Sequence, residues 1–204
     1  MHLHGYFRSS ASWRVRIALN LKQLPVATTA HHLRRGEHRA PDYLKLNPQG
    51  LVPTLEADDG TVLTQSLAII EWLEETHPSP PLLPIEPVAR ARVRAFALVL
   101  IADTHPLQNL KVLNALRALH LPEETVRNWA AEANSAGLAA CEALLQGDGP
   151  FCFGGAPTLA DVCLVPQLGS ARRFGVDTER FSGLLAREAA CLDLPAFADA
   201  APSR

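Results

Sequence analysis

Five of the twelve residues at positions 77–88, HPSPPLLPIEPV, are proline. Proline fixes φ and lacks an N–H, so this stretch is an ordered, semi-rigid connector and not a helix. The chain has 204 residues, enough for two small domains on either side of it. The predicted division is 1–80 and 88–204, with a linker at 81–87. Ahead of the connector, strand and helix signals alternate. Residues 2–7 read as a strand. Residues 12–22 read as a buried helix, with apolar Trp13, Val15, Ile17, Ala18 and Leu21. Residues 25–33 read as a second strand and 40–46 as a helix. Residues 51–56 and Val62–Thr64 flank the hairpin signal Asp58-Asp59-Gly60, and 66–75 is a third helix. The order β-α-β-α-β-β-α is thioredoxin-like. Beyond the connector nearly every signal is helical. One long helix is expected over 88–119, bent at Pro106, and another over 122–145, with Glu123 and Glu124 where the helix dipole favours acids. Thr158-Leu159-Ala160-Asp161 is a capping box, and short helices close the chain at 181–193 and 195–201. The fold class is therefore α/β followed by all-α.

The formal net charge is −2, so no global field favours nucleic acid or an anionic membrane. There is no apolar run of membrane length and no signal-peptide core, from which a cytoplasmic location is expected. Cys141, Cys152, Cys163 and Cys191 form no C-x-x-C pair, which argues for buried reduced thiols and against a disulfide framework or zinc site. His2 and His4 share a strand face and His31 and His32 are adjacent, but the sequence shows no third partner at metal spacing; no metal is expected. Positive charge is carried by sixteen arginines against three lysines, and arginine suits bidentate capture of carboxylates.

The chemistry lies at three loop ends. In FRSSASWRVR, from Phe7 to Arg16, a strand ends and a helix begins. A helix N-terminus offers free N–H donors and a positive partial charge, which lowers the pKa of a nearby thiol. Serine and alanine stand where a redox protein would carry its two cysteines, so the thiol would have to arrive on a ligand. Ser9, Ser10 and Ser12 read equally well as N-caps. Val52-Pro53 precedes the hairpin, where the valine backbone is placed to pair with an extended peptide; a plain strand start is the alternative. Gln65-Ser66 opens the third helix, with Ser66 the expected N-cap and the N–H groups behind it suited to a carboxylate. Tyr6, within the first strand, reads as core.

Taken together, YFRSSASWRVRIALNLK, NPQGLVPTL, TQSLAIIEWLEE, PLLP, HPLQNLKVL and TLADVCLVPQ resemble the zeta class of glutathione transferases, over about residues 2 to 200. The resemblance implies a glutathione transferase fold, glutathione as cofactor and a homodimer. It implies an isomerase that converts maleylacetoacetate to fumarylacetoacetate in tyrosine and phenylalanine catabolism, with maleylpyruvate isomerisation or general conjugation as alternatives. By position, Ser9 matches the catalytic serine and Ser10 the second serine, its helper or the alternative contact to the sulfur. Val52, Gln65 and Ser66 match backbone and γ-glutamyl contacts to glutathione. His38, His105 and Asn109 match further contacts to the tripeptide. Arg173 and Arg8 are the candidates for a substrate carboxylate; both also read as helix-end or surface charges. Two departures stand out. Ala11 replaces a cysteine common in relatives, and Lys111 stands where some maleylpyruvate isomerases carry arginine.

Overall fold

The computed structural model describes residues 1–202. It divides into two compact units: Met1–Pro81 together with 194–202, and Leu82–Asp193.

The first unit is built on a four-stranded sheet of order β2-β1-β3-β4. β1 (His2–Gly5) runs parallel to β2 (Ala27–Ala30) and antiparallel to β3 (Thr54–Glu56), which pairs with β4 (Val62–Thr64). Helices α1 (Ser10–Leu21), α2 (Pro41–Leu46) and α3 (Ser66–Thr76) complete the thioredoxin-like order read from the sequence. Alternation along β1 and β3 sends Leu3 and Leu55 to one face of the sheet. Both are buried, as are Val15, Ile17, Ile69, Ile70 and Leu73 on the helices. Burying each such side chain contributes about 1.5–3 kcal/mol. β2 is shorter than the expected 25–33.

Two boundaries differ from the expected division. The last helix, α9 (Pro195–Ala198), belongs to the first unit, against α1. Arg16 Nε donates to the Ala200 carbonyl at 2.9 Å and Asn20 Nδ2 to that of Ala196 at 3.1 Å. Phe197 and Ala200 are buried. The second unit begins inside the proline-rich stretch. Leu82 and Leu83 are buried there, and the Leu159 N–H donates to the Leu82 carbonyl at 2.8 Å.

The second unit holds α4 (Pro87–Leu98), α5 (Leu110–Ala118), α6 (Glu123–Leu144), α7 (Leu159–Arg173) and α8 (Ser182–Leu192). The single helix expected over 88–119 is broken. α4 passes into a π-helical turn at Val99–Thr104 and a 3₁₀ turn at His105–Gln108 before α5 starts. Pro106 has no N–H for the helical ladder, and Asn109 caps α5 by accepting from the Lys111 N–H at 3.0 Å. α7 is the core element, buried without interruption from Leu159 to Leu168. Its capping box is formed: Asp161 accepts from the Thr158 N–H and hydroxyl and from the Cys152 N–H, at 2.8 to 2.9 Å. Those bonds, with the helix N-terminus behind them, offset the cost of burying the carboxylate. Among the described residues no helix is long and apolar enough to cross a membrane.

Gly137 lets the π-helical turn approach α6, since a Cβ there would lie 2.0 Å from Thr104 Oγ1. Helix propensity favours alanine over glycine by about 1 kcal/mol, but so short a contact outweighs it. Gly137→Ala should therefore destabilise the protein by about 1–3 kcal/mol, seen as a fall in Tm of roughly 2–10 °C by calorimetry.

Candidate functional site

The register of the sheet gathers three loop ends at one edge. Antiparallel pairing sets His4 opposite Thr54, and Thr54 opposite Thr64. The C-terminal end of β1, the N-terminal end of β3 and the C-terminal end of β4 therefore lie side by side. Ser9 and Ser10 follow the first, Val52 precedes the second, and Gln65 and Ser66 follow the third.

At the β1–α1 junction the turn closes with the Ser9 N–H on the Tyr6 carbonyl at 3.0 Å. Ser9 is the N-cap of α1, its Oγ accepting from the Ser12 N–H at 3.2 Å. Ser12 Oγ in turn accepts from the Tyr6 N–H at 3.3 Å. Capping uses a lone pair of the Ser9 oxygen and leaves its hydrogen available as a donor. Ser9 is half-buried, Ser10 is buried on the first turn, and Arg8 beside them is exposed. Tyr6 is buried, its ring edge-on to Phe7 and His32, as expected of a core residue.

The Val52–Pro53 peptide is cis. The loop before it is held by its own side chains. Tyr43 Oη donates to the Leu51 carbonyl at 2.5 Å, and Asn47 Nδ2 donates to the same oxygen at 2.8 Å. Among the described residues the Val52 backbone has no hydrogen-bond partner, although its neighbours are pinned. Gln65, not the expected Ser66, is the N-cap of α3; Ser66 is its first residue and is buried. Gln65 has φ 71°, ψ 120°, a conformation that costs a non-glycine residue about 1–3 kcal/mol and concentrates at functional sites. Its side chain donates to Gln49 Oε1 at 2.8 Å, tying α3 to the 47–52 loop. Gln49, which the sequence reading did not single out, is thereby held beside the start of α3. His38, in a 3₁₀ turn at Glu37–Arg39, sits against Gly50. His38 is buried, and its Nδ1 has no hydrogen-bond partner. Burial first, then Arg39, holds its pKa below the ordinary histidine range.

Neither α1 nor α3 carries an acid in its first turn. α3 has no side-chain cap. Two positive helix ends without acidic compensation favour an anion. No cysteine lies in the first unit. All four are buried in the second, and burial pushes Cys141 up to about 12 and Cys152 and Cys191 higher still. The first unit offers no thiol of its own.

In the second unit, His105 and Asn109 flank a buried polar network. Gln108 Oε1 accepts from Ser170 Oγ at 2.6 Å and Asn134 Nδ2 at 3.2 Å, and Asn134 Oδ1 accepts from Gln167 Nε2 at 2.7 Å. Gln108 Nε2 stands 3.5 Å from His105 Nδ1. This network, invisible to local patterning, fixes the turn that presents His105. Arg173 is exposed at the last turn of α7, while its neighbour Arg172 is engaged by Glu188.

One sequence expectation is corrected. His2 and His4 do have a third partner at metal spacing: Glu56, brought opposite His2 by the β1–β3 register. Glu56 lies 52 positions from His4 in sequence, so only strand pairing reveals it.

The chain matches the family model for the glutathione S-transferase N-terminal domain over residues 8–76 and that for the C-terminal domain over residues 124–190. It belongs to the glutathione S-transferase family. A maleylacetoacetate isomerase of Pseudomonas aeruginosa is 49% identical over 100% of this chain and 96% of its own. A solved maleylpyruvate isomerase, described as a bacterial zeta-class glutathione S-transferase, is 47% identical with a TM-score of 0.95, over 99% of this chain and 97% of that one. A solved maleylacetoacetate isomerase from Methylobacterium extorquens AM1, with bound malonate and glutathione, is 42% identical with a TM-score of 0.95, over 99% and 96%.

Because His38 is neutral when buried, the unfolded chain takes up its proton first as pH falls. Stability attached to His38 is present above the unfolded value of 6.5 and lost as pH falls through the lower folded pKa. His38→Gln should flatten the decline of Tm below pH 6.5, measured by calorimetry across pH 7 to 5.

Proposed function

We propose that this chain is a zeta-class, glutathione-dependent cis–trans isomerase that converts maleylacetoacetate to fumarylacetoacetate in tyrosine and phenylalanine breakdown. The observation that supports this reading is a pair of helix N-termini, one capped by Ser9, in a unit without a thiol. Ser9 and two acid-free helix ends are set for a sulfur anion, and every cysteine is buried elsewhere. The residues fit glutathione, an acidic tripeptide. The partnerless Nδ1 of buried His38 and the unpaired Val52 backbone are polar groups that a ligand would satisfy. In this reading Val52 pairs with the cysteinyl backbone. Gln65 and Ser66 hold the γ-glutamyl carboxylate at the α3 N-terminus, and His38 serves the glycyl end. By the family resemblance, His105 and Asn109 are further candidates for contacts to the tripeptide.

When bound, glutathione supplies a nucleophilic thiolate that adds to the cis double bond, permits rotation about the resulting single bond and is regenerated on expulsion. Ser9 donates its hydroxyl hydrogen to the sulfur and the α1 terminus adds its dipole, both favouring the ionised form. Ser10 assists from the first turn. Each unit by which they lower the thiol pKa is worth about 1.4 kcal/mol. Arg173 and Arg8 neutralise the substrate carboxylate and the charge developing on its carbonyl oxygen. We further propose a cytoplasmic homodimer with some general transferase activity, as the family resemblance implies.

Maleylpyruvate is the second substrate reading, favoured by the solved relative of that name. Ultraviolet-monitored turnover of maleylacetone and of maleylpyruvate, each with and without glutathione, decides between them. Fast glutathione-dependent loss of maleylacetone is expected. The reverse preference selects maleylpyruvate, and no turnover of either removes the isomerase reading. Ser9→Ala should lower kcat at least tenfold, about 1.4 kcal/mol. Arg173→Ala should raise KM for the dianionic substrate with little change in glutathione affinity. Steady-state kinetics of both variants checks the two roles.

A further inference from the structure

The sheet of the first unit carries a second constellation, separate from the loop ends described above. Successive side chains of a strand alternate faces, so His2 and His4 project from the same face of β1. The antiparallel register sets Glu56 of β3 directly opposite His2. The ligand atoms of the three residues lie within 4.8 Å of one another. Glu56 Oε1 is 2.6 Å from His4 Nε2 and 3.7 Å from His2 Nδ1.

What distinguishes this cluster from a surface ion pair is the organisation behind it. Each histidine engages a second partner through its other ring nitrogen. His4 Nδ1 is 2.9 Å from His31 Nε2, and His2 Nε2 is 2.8 Å from Thr29 Oγ1. The two imidazoles are stacked with centroids 4.5 Å apart, and the His31 ring packs on Tyr43. Outer partners of this kind fix the orientation and tautomer of metal-binding histidines. The His4 side chain is 9% exposed, while those of His2 and Glu56 are 38% and 33% exposed. The cluster is thus anchored from below and open to solvent above.

We propose that His2, His4 and Glu56 form a binding site for a divalent first-row transition ion of the zinc type. Two imidazoles and one carboxylate suit zinc, cobalt, nickel or copper, whereas calcium and magnesium require oxygen ligands. Bonds of about 2.1 Å in tetrahedral array place ligand atoms about 3.4 Å apart. The observed separations bracket that value, and half-exposed Glu56 reaches it by swinging away from His4. Three protein ligands leave a fourth position for water or a small anion. An ion here cross-links β1 to β3, the two strands whose ends lead to Ser9 and Val52. Only folding holds Glu56 beside the two histidines, so the ion binds the folded chain more tightly than the unfolded one and raises its stability by mass action.

The test uses untagged, chelator-stripped, full-length protein titrated with zinc chloride in a calorimeter, and with cobalt(II) followed by its visible d–d absorption. The expected result is one saturable zinc per chain, a tetrahedral cobalt spectrum and a zinc-dependent rise in Tm. His2→Asn and Glu56→Gln, both at half-exposed positions and outside the proposed glutathione site, should each weaken zinc binding at least tenfold and abolish the cobalt band. Circular dichroism confirms that the variants fold. Absence of saturable zinc binding to the wild-type chain overturns the proposal. So does zinc binding that both variants leave unchanged, which would place the ion on other histidines.

Discussion

β1 is paired on both sides, parallel to β2 and antiparallel to β3, and nearly everything of consequence in the first unit depends on that pairing. A strand has a side-chain period of two, so a one-residue slip would turn every side chain to the opposite face. Leu3 and Leu55 hold the register because both must be buried against the helices. With it held, the loops bearing Ser9, Val52 and Gln65 converge at one edge. His2, His4 and Glu56 converge on the opposite face from Leu3 for the same reason. One hydrophobic requirement thus places two polar constellations.

The converging edge is made of backbone and helix ends more than of charged side chains. α1 and α3 bring positive ends without acids, and the Val52 backbone stands unpaired beside them. Positive helix ends favour an anion, and an unpaired backbone beside a strand end suits an extended peptide. The rigidity of the edge has identifiable sources: the Tyr43 and Asn47 bonds to the Leu51 carbonyl, and the Gln65–Gln49 bond. Gln65 holds its positive φ because its surroundings are over-determined.

The second unit solves a different problem. Its helices are long, but the segment between α4 and α5 departs from α-helical geometry through a π turn and a 3₁₀ turn. Pro106 breaks the ladder there. The freed geometry is stabilised by the Gln108–Asn134–Gln167–Ser170 network and by the absence of a side chain at Gly137. Buried polar networks of this kind rigidify when fully satisfied, which suits a turn that presents His105.

Local signals in the chain were enough for the element order of the first unit, the capping box at Thr158 and Asp161, a departure from straight helix at Pro106, and the positions of Ser9, Val52, Gln65 and Ser66 at loop ends. These follow from hydrophobic period, turn residues and capping chemistry, all of which act over a few neighbouring positions. The ordered set of motifs also sufficed to indicate the family. Tertiary structure alone decided the rest. It put residues 194–202 with the first unit, where Arg16 and Asn20 donate to the carbonyls of Ala200 and Ala196. It made Gln65 the cap of α3 in place of Ser66, and it tied Gln49 to that cap. It gave His2 and His4 a carboxylate partner from β3, and it assembled four polar residues from distant segments around His105. In each case the deciding contact joins residues far apart in sequence, where no local periodicity carries information and only the register of packed elements determines who meets whom.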